Sequence, residues 1–403
     1  MKNLQILHIT PWYPTAQKPF AAIFIQRHIQ SLSNHLTSKV FHIHFDDQVN
    51  SWFPKFKFSR TNSNDPLMPL KDVLHIQSFP TSWRLREFFC FLVNWWYLTF
   101  KAKEMDVVNF YIAYPTAVYI KQLKKLFPKF KWIITEQWSA YHMGFSLSKG
   151  NKGRNRIEQI FLNETPLFVV SNALGNDIQQ FCGKPIPFQV IPNIVDNQLF
   201  SFSETNSNPT HLTRIVSVNS WSAMKNPMVL LEAFALLLNQ RPFKHKNGPS
   251  NSKAKEPNQL QLVLAGGGDM LIAVRQKAKD LAIEQFVQFP GPLTPQQVAE
   301  LLQTASIYCQ SSNYETFSVI CVEALSSGVP VVATNIGGMK DFINDSNGLL
   351  VNEMTPKAWA EGINEVLSKL NKFDRNAISQ KARMAYNSES IGKIFAQKIS
   401  EII

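Results

Sequence analysis

The chain predicts an α/β protein built of two doubly wound domains. Three observations carry that class. Short apolar runs alternate with longer amphipathic ones along most of the sequence. The short runs are apolar throughout, not at every second position, which marks strands of parallel sheets covered on both faces. The rhythm runs twice, in two series separated by a polar stretch. With 403 residues, 45% of them hydrophobic, the chain has material for two domains at ~150 residues each.

The elements follow in order. Residues 4–9 form a first buried strand, broken at Pro11. Strands are expected next at 40–44, 73–77, 107–109, 132–135, 167–170 and 189–191, with helical patterns at 23–36, 84–103 and 117–126. The second series has strands at 214–218, 261–265, 287–289, 307–309, 329–333 and 349–351. Its helices are expected at 227–238, 270–281, 295–303, 318–326 and 356–370. The polar stretch 200–209, FSFSETNSNP, sets a boundary. The domains are therefore 1–200 and 210–377. The lysine- and turn-rich stretch 244–258 reads as a surface insertion, because the sheet pattern resumes at once. Residues 378–403 are helical in pattern, with Ile391, Ile394, Phe395, Ile399 and Ile402 at helical spacing and no strand after them.

Composition excludes several classes. Charged residues at 17% and aromatics at 12% are not the profile of a disordered chain. Cys90, Cys182, Cys309 and Cys321 are scattered without a Cys-x-x-Cys pair, which argues against a disulfide scaffold or cysteine zinc site. The N-terminal apolar run is too short for a signal peptide. No run approaches the ~20 apolar residues of a membrane span. The nearest, FFCFLVNWWYLTF at 88–100, is expected to be a buried helix. Residues 1–200 hold 22 Lys and Arg against 12 Asp and Glu, and the remainder 19 against 17. A basic first half points to an acidic partner or a solvated basic surface. The run WFPKFKFSR at 52–60 mixes aromatic and basic residues. It suits either an anionic bilayer interface or packing in the first domain with solvated lysines.

The chemistry concentrates in residues 311–338, SSNYETFSVICVEALSSGVPVVATNIGG. Glu315 follows a strand at its carboxyl end, where open α/β sheets bind ligands. Glu323 lies on the next helix. Eight helical residues span ~12 Å, too far for two carboxylates on one reacting centre. The spacing suits two contacts on an extended ligand, or one helix-end charge and one solvated glutamate. Gly266-Gly267-Gly268 lies between a strand and a helix, where close backbone approach and a helix N-terminus favour anions. Lys225 is a candidate cation for a diphosphate, or a surface lysine. Gly337-Gly338 offers backbone N–H groups, or a simple turn. Asn193 follows the proline of VIPN and is read as ordering a crossover or touching a ligand.

These segments together resemble the family 4 retaining glycosyltransferases of the GT-B fold. The resemblance rests on Glu315-x7-Glu323, the following AL-x-x-G-x-PVVAT and Gly337-Gly338. VVSNALGNDI, VIPNIVDNQLF, Lys225-Asn226 before a leucine-rich helix, LVLAGGGD and the N-terminal WYP with Pro19 and Phe24 agree in order. It is strong from Val169 onward and weaker before.

The resemblance implies a GT-B fold whose two Rossmann-like domains face a cleft, the tail 378–403 rejoining the first domain. It implies transfer of a hexose-type sugar from a UDP- or GDP-linked donor to a glycan or lipid-linked acceptor. It implies Glu315, Lys225 and Gln137 as catalytic residues and Glu323, Gly267, Gly337, Gly338, Ser220 and Asn193 as donor-binding residues. No cofactor, metal or nucleic-acid partner is implied; no Asp-x-Asp pair occurs. The implied location is cytoplasmic, peripheral on the inner membrane face. Three departures stand out. Asn219-Ser220-Trp221 replaces the usual Gly-Arg, Gln137 stands where a histidine is common, and Ala22 stands where the first loop has glycine. A catalytically impaired nucleotide-sugar binder and a nucleotide-sugar epimerase of the same architecture remain alternative readings.

Overall fold

The computed structural model describes residues 4–15, 18, 20–46, 55–61, 70–77, 83–203, 212–240 and 259–402. The chain forms two compact units, Met1–Ile194 with Ser388–Ile403, and Val195–Asn387.

The first unit runs β1 (Gln5–Thr10), α1 (Ile23–Ser33), β2 (Thr37–Asp46), β3 (Lys55–Thr61), β4 (Leu70–Gln77) and α2 (Trp83–Phe100). It continues with β5 (Val107–Tyr111), α3 (Ala113–Thr116), α4 (Ile120–Leu126), β6 (Lys131–Glu136), α5 (Lys152–Phe161), β7 (Leu167–Val169), α6 (Asn172–Cys182) and β8 (Phe188–Val190). The sheet order is β3-β4-β2-β1-β5-β6-β7-β8. All neighbours are parallel except β3, which pairs antiparallel with β4. Every residue of β5 is buried, as a strand covered on both faces requires.

The second unit runs β9 (Leu212–Val218), α7 (Pro227–Gln240), β10 (Gln259–Ala265), α8 (Leu271–Asp280), β11 (Val287–Gly291) and α9 (Pro295–Gln303). Then come β12 (Ile307–Gln310), α10 (Val319–Ser326), β13 (Val331–Thr334), β14 (Gly348–Val351), α11 (Pro356–Ser368) and α12 (Arg375–Ala385). Its sheet, β11-β10-β9-β12-β13-β14, is wholly parallel. The capping box of Thr294 and Gln297 with Pro295 starts α9, and Thr355 with Pro356 starts α11. The last helix, α13 (Ser388–Ile402), belongs to the first unit. Its Ile391, Phe395 and Ile399 join the core formed by Ile25, Ile29 and Leu32 of α1.

Several expectations need correction. The first unit ends at Ile194 and not at 200, and the second extends through 387 and not 377. The tail that joins the first unit begins at Ser388, because residues 375–385 form the separate helix α12, which packs on α10. Strand β3 was not expected; its lysines break the apolar run that the other strands show. Helix α2 is buried on one face only: Cys90, Val93, Tyr97 and Leu98 are buried, while Leu85, Phe88, Leu92, Trp95 and Phe100 are exposed. The insertion 244–258, most of the boundary stretch 200–209, Pro19 and residues 52–54 lie outside the described residues.

Candidate active site

Four loops of the second unit leave the carboxyl ends of β9, β10, β12 and β13. Strand β9 lies between β10 and β12 in the sheet, so the chain's winding reverses there. An open parallel sheet offers its binding crevice at such a point.

Two amides bridge that point. Asn219, just past β9, and Gln310, at the end of β12, exchange bonds: Gln310 Nε2 donates to Asn219 Oδ1 at 2.9 Å, and Asn219 Nδ2 to Gln310 Oε1 at 3.2 Å. Tyr308 donates its hydroxyl to Gln310 Oε1 at 2.6 Å. Glu315 sits above this bridge. Its Oε1 accepts from Gln310 Nε2 and from Ser312 Oγ, each at 2.9 Å, and from Lys225 Nζ. Lys225 therefore reaches the site as an ion pair with Glu315. Both partners are largely buried, and the carboxylate has hydrogen bonds beyond the pair, the condition under which a shielded ion pair holds.

Backbone contacts clamp the lysine turn in place. Ser311 Oγ donates to the Lys225 and Asn226 carbonyls at 3.2 and 3.0 Å. The Asn313 N–H donates to the Met224 carbonyl at 2.7 Å. The glycine loops pack just as closely. Gly266 has φ +115°, and a Cβ there would lie 1.8 Å from the Asn219 carbonyl oxygen. Gly337 has φ +50°, and its Cβ would lie 1.9 Å from the Glu315 carbonyl oxygen. Only glycine fits either place.

The second unit thus holds Lys225, Glu315, Ser220, Gly267, Glu323, Gly337 and Gly338. Ser220 is exposed in the turn after β9. The Gly267 carbonyl accepts from the Trp221 N–H at 2.6 Å. The expectation that Gly337-Gly338 offers free N–H groups needs correcting for Gly338: its N–H donates to the Glu315 carbonyl at 3.1 Å. Glu323 is half-buried on α10. The ~12 Å helical spacing from Glu315 does not apply, because residues 311–318 are a loop and Ser318 is left-handed at φ +59°.

Gln137 and Asn193 belong to the first unit. Both are buried, and Gln137 Oε1 and Asn193 Oδ1 have no hydrogen-bond partner among the described residues. Gln137 Nε2 lies 3.4 Å from Nδ1 of His28, whose other ring nitrogen bonds the Pro192 carbonyl at 2.9 Å. Burial lowers the His28 pKa to about 4, so the ring is neutral. Ala22, where glycine was expected, is left-handed at φ +53°.

Other residues escaped the sequence reading. Glu136, beside Gln137, accepts from the Ala113, Gln137 and Trp138 N–H groups and the Tyr141 hydroxyl at 2.8–2.9 Å. Burial pushes its pKa up against the pull of those donors. Asn219 and Gln310 were missed as well, although a polar residue closing the apolar strand Ile307–Gln310 is a readable signal. A cavity of about 810 Å³ opens in the first unit among Trp83, Tyr114, Trp138, Phe145, Lys152 and Arg156. A second of about 490 Å³ shares Trp83, Tyr114 and Trp138 with it.

Comparison with known proteins bears on the fold. The chain is 32% identical over 151 residues to a D-inositol 3-phosphate glycosyltransferase of Corynebacterium urealyticum, a match covering 36% of this chain and 32% of that protein. The chain thus spans about a third of the length of that relative. Sucrose-phosphate synthase from Thermosynechococcus elongatus superposes with a TM-score of 0.74 at 17% identity, covering 99% of both chains. Anabaena HepE, solved in complex with UDP, superposes at 0.70 and 16% identity, covering 99% of this chain and 100% of that one. The fold is that of the GT-B glycosyltransferases. Residues 201–384, which contain the Lys225–Glu315 pair and the Asn219–Gln310 bridge, match the family model for glycosyl transferases group 1.

Proposed function

We propose that this chain is a retaining glycosyltransferase of family 4 that moves a hexose-type sugar from a UDP- or GDP-linked donor to a glycan or lipid-linked acceptor. The observation that carries the reading is the Lys225–Glu315 pair on the Asn219–Gln310 bridge. A fixed cation at the carboxyl ends of parallel strands is what a diphosphate leaving group needs, and it requires no metal in this reading. Lys225 neutralises the departing diphosphate. Glu315 holds the lysine in place and has a second carboxylate oxygen for a donor-sugar hydroxyl. Glu323 bonds the nucleotide ribose. The C1–phosphate bond breaks and the bond from C1 to the acceptor oxygen forms on the same face. The acceptor proton passes to the leaving diphosphate. The aromatic and basic cavities of the first unit are assigned to the acceptor, and the location to the cytoplasmic membrane face.

The missing arginine at Asn219-Ser220-Trp221 favours a second reading, a nucleotide-sugar binder with impaired turnover. Thermal stabilisation by a panel of nucleotide sugars, followed by transfer assays with the best binder, tests both. The expected result is stabilisation by one UDP- or GDP-sugar and mass gain on an acceptor. Stabilisation without turnover supports the binder, and isomerised donor supports an epimerase. No stabilisation by any nucleotide sugar rejects all three. Glu323→Ala and Lys225→Ala should each weaken donor binding about tenfold or more, since a bond to a charged group is worth ~1.5–3 kcal/mol. Unchanged calorimetric affinity would remove either residue from the site.

A further inference from the structure

Helix α2 presents an unusual face to solvent. Its inner face, with Cys90, Val93, Tyr97 and Leu98, is buried on the sheet. The opposite face should be polar in a surface helix. Instead Leu85, Phe88, Leu92 and Trp95 form a stripe at three- and four-residue spacing, and they are 55%, 48%, 41% and 42% exposed. Edge strand β3 widens the stripe. Phe56 stacks on Phe89 at 4.9 Å and Phe58 meets Trp96 edge-on at 5.8 Å, yet the two phenylalanines stay 50% and 39% exposed. A contiguous apolar patch of this kind marks an interaction site.

The charges around the patch are mainly basic, and the exposed Glu104 beyond the end of α2 is paired with Lys39 at 3.4 Å. Lys57 on β3, Arg84 at the start of α2, and Lys101 and Lys103 just past its end are exposed. Strand β3 and helix α2 carry one carboxylate between them, Glu87. It is buried and held by Arg156 at 2.6 Å. Among the described residues no helix is long and apolar enough to cross a membrane.

We infer that the outer face of α2, with β3 beside it, seats the first unit on an anionic lipid bilayer. Phe, Trp and Leu enter the headgroup boundary while the flanking lysines and arginine meet lipid phosphates. A second copy of this chain fits less well, because it would bring Lys57 and Arg84 against their own like charges. The proposal does not depend on glycosyl transfer. It stands or falls on lipid binding alone.

The test is sedimentation of the full chain with phosphatidylglycerol–phosphatidylcholine vesicles and with phosphatidylcholine alone. The parent should bind the anionic vesicles at least tenfold better and release in part as salt rises, because screening weakens the attraction. The double substitution Phe88→Ser/Trp95→Ser should lower binding at least tenfold with the melting temperature retained. The pair Lys57→Glu/Arg84→Glu gives an independent reading should the first variant fail to fold, and should lower binding similarly. No binding by the parent, or equal binding by parent and folded variants, overturns the proposal. So does a parent dimer that the same substitutions convert to a monomer, since the face then covers a second copy.

Discussion

His28 shows how one buried side chain sets a pH dependence. Its ring is fully buried, with its pKa lowered by desolvation from 6.5 to about 4. Between those values the unfolded chain binds a proton that the folded chain refuses. Stability is therefore complete above pH 6.5 and falls as pH drops toward 4, by about 3 kcal/mol for this residue. His8, lowered to about 3 by the same cause, adds a loss of the same sign. Glutamine at position 28 keeps a donor for the Pro192 carbonyl without the titration. Urea unfolding of the parent and of His28→Gln at pH 7 and pH 4.5 should show a smaller loss in the variant. Parallel losses would mean that His28 is protonated in the folded state. The ring also bears on the departure at Gln137. Gln137 Nε2 lies 3.4 Å from the neutral imidazole, so neither group is a ready proton donor there.

At the scale of elements, the loops above the second sheet are fixed by contact more than by flexibility. Alanine at Gly266 would put a methyl 1.8 Å from the Asn219 carbonyl oxygen, at φ +115°. Backbone must move to admit it. Gly183, which ends α6 at φ +64°, has nothing within 4 Å of its Cβ position. Gly183→Ala should cost about 1 kcal/mol from its left-handed conformation alone, and Gly266→Ala about 2–4 kcal/mol. Chemical denaturation of the two variants checks the difference, and equal costs would show that the Asn219 turn yields. Such loops are half legible in sequence. Glu315, Lys225 and the glycines declared themselves as residue types beside strand ends. The Asn219–Gln310 bridge did not, because it pairs residues 91 positions apart. The parallel strands were legible because burial on two faces makes them apolar throughout. Strand β3 was not, since an edge strand with Lys57 and Arg60 needs only one apolar face. Helix α2 misled for the opposite reason. A helix apolar on every face reads as buried, and composition does not tell a core partner from an external one.

At the scale of the whole molecule, the two units are built differently along the chain. The second is one continuous segment, Val195–Asn387, with its own core around Trp221, Phe234 and Trp359. It contains the Lys225–Glu315 pair, the Asn219–Gln310 bridge and Glu323. The first unit is discontinuous: Ile391, Phe395 and Ile399 of α13 fill a core whose other walls come from residues before 195. Gly392 lies so close to α1 that a Cβ there would sit 2.3 Å from the Ser31 carbonyl oxygen. Without α13, that helix-to-helix surface is bare, and each buried Ile or Phe side chain withdrawn costs ~1.5–3 kcal/mol. A fragment of residues 195–387 should therefore fold alone and bind the donor nucleotide that stabilises the full chain. A fragment of residues 1–194 should be unfolded or aggregated, and a separate peptide of residues 388–403 should restore its structure. Circular dichroism and thermal melting of the three samples decide the matter. A cooperative melt of 1–194 alone, at the temperature seen with the peptide, would show that α13 is dispensable to the first unit. Loss of nucleotide binding by a folded 195–387 fragment would show that the donor site needs residues from outside the second unit.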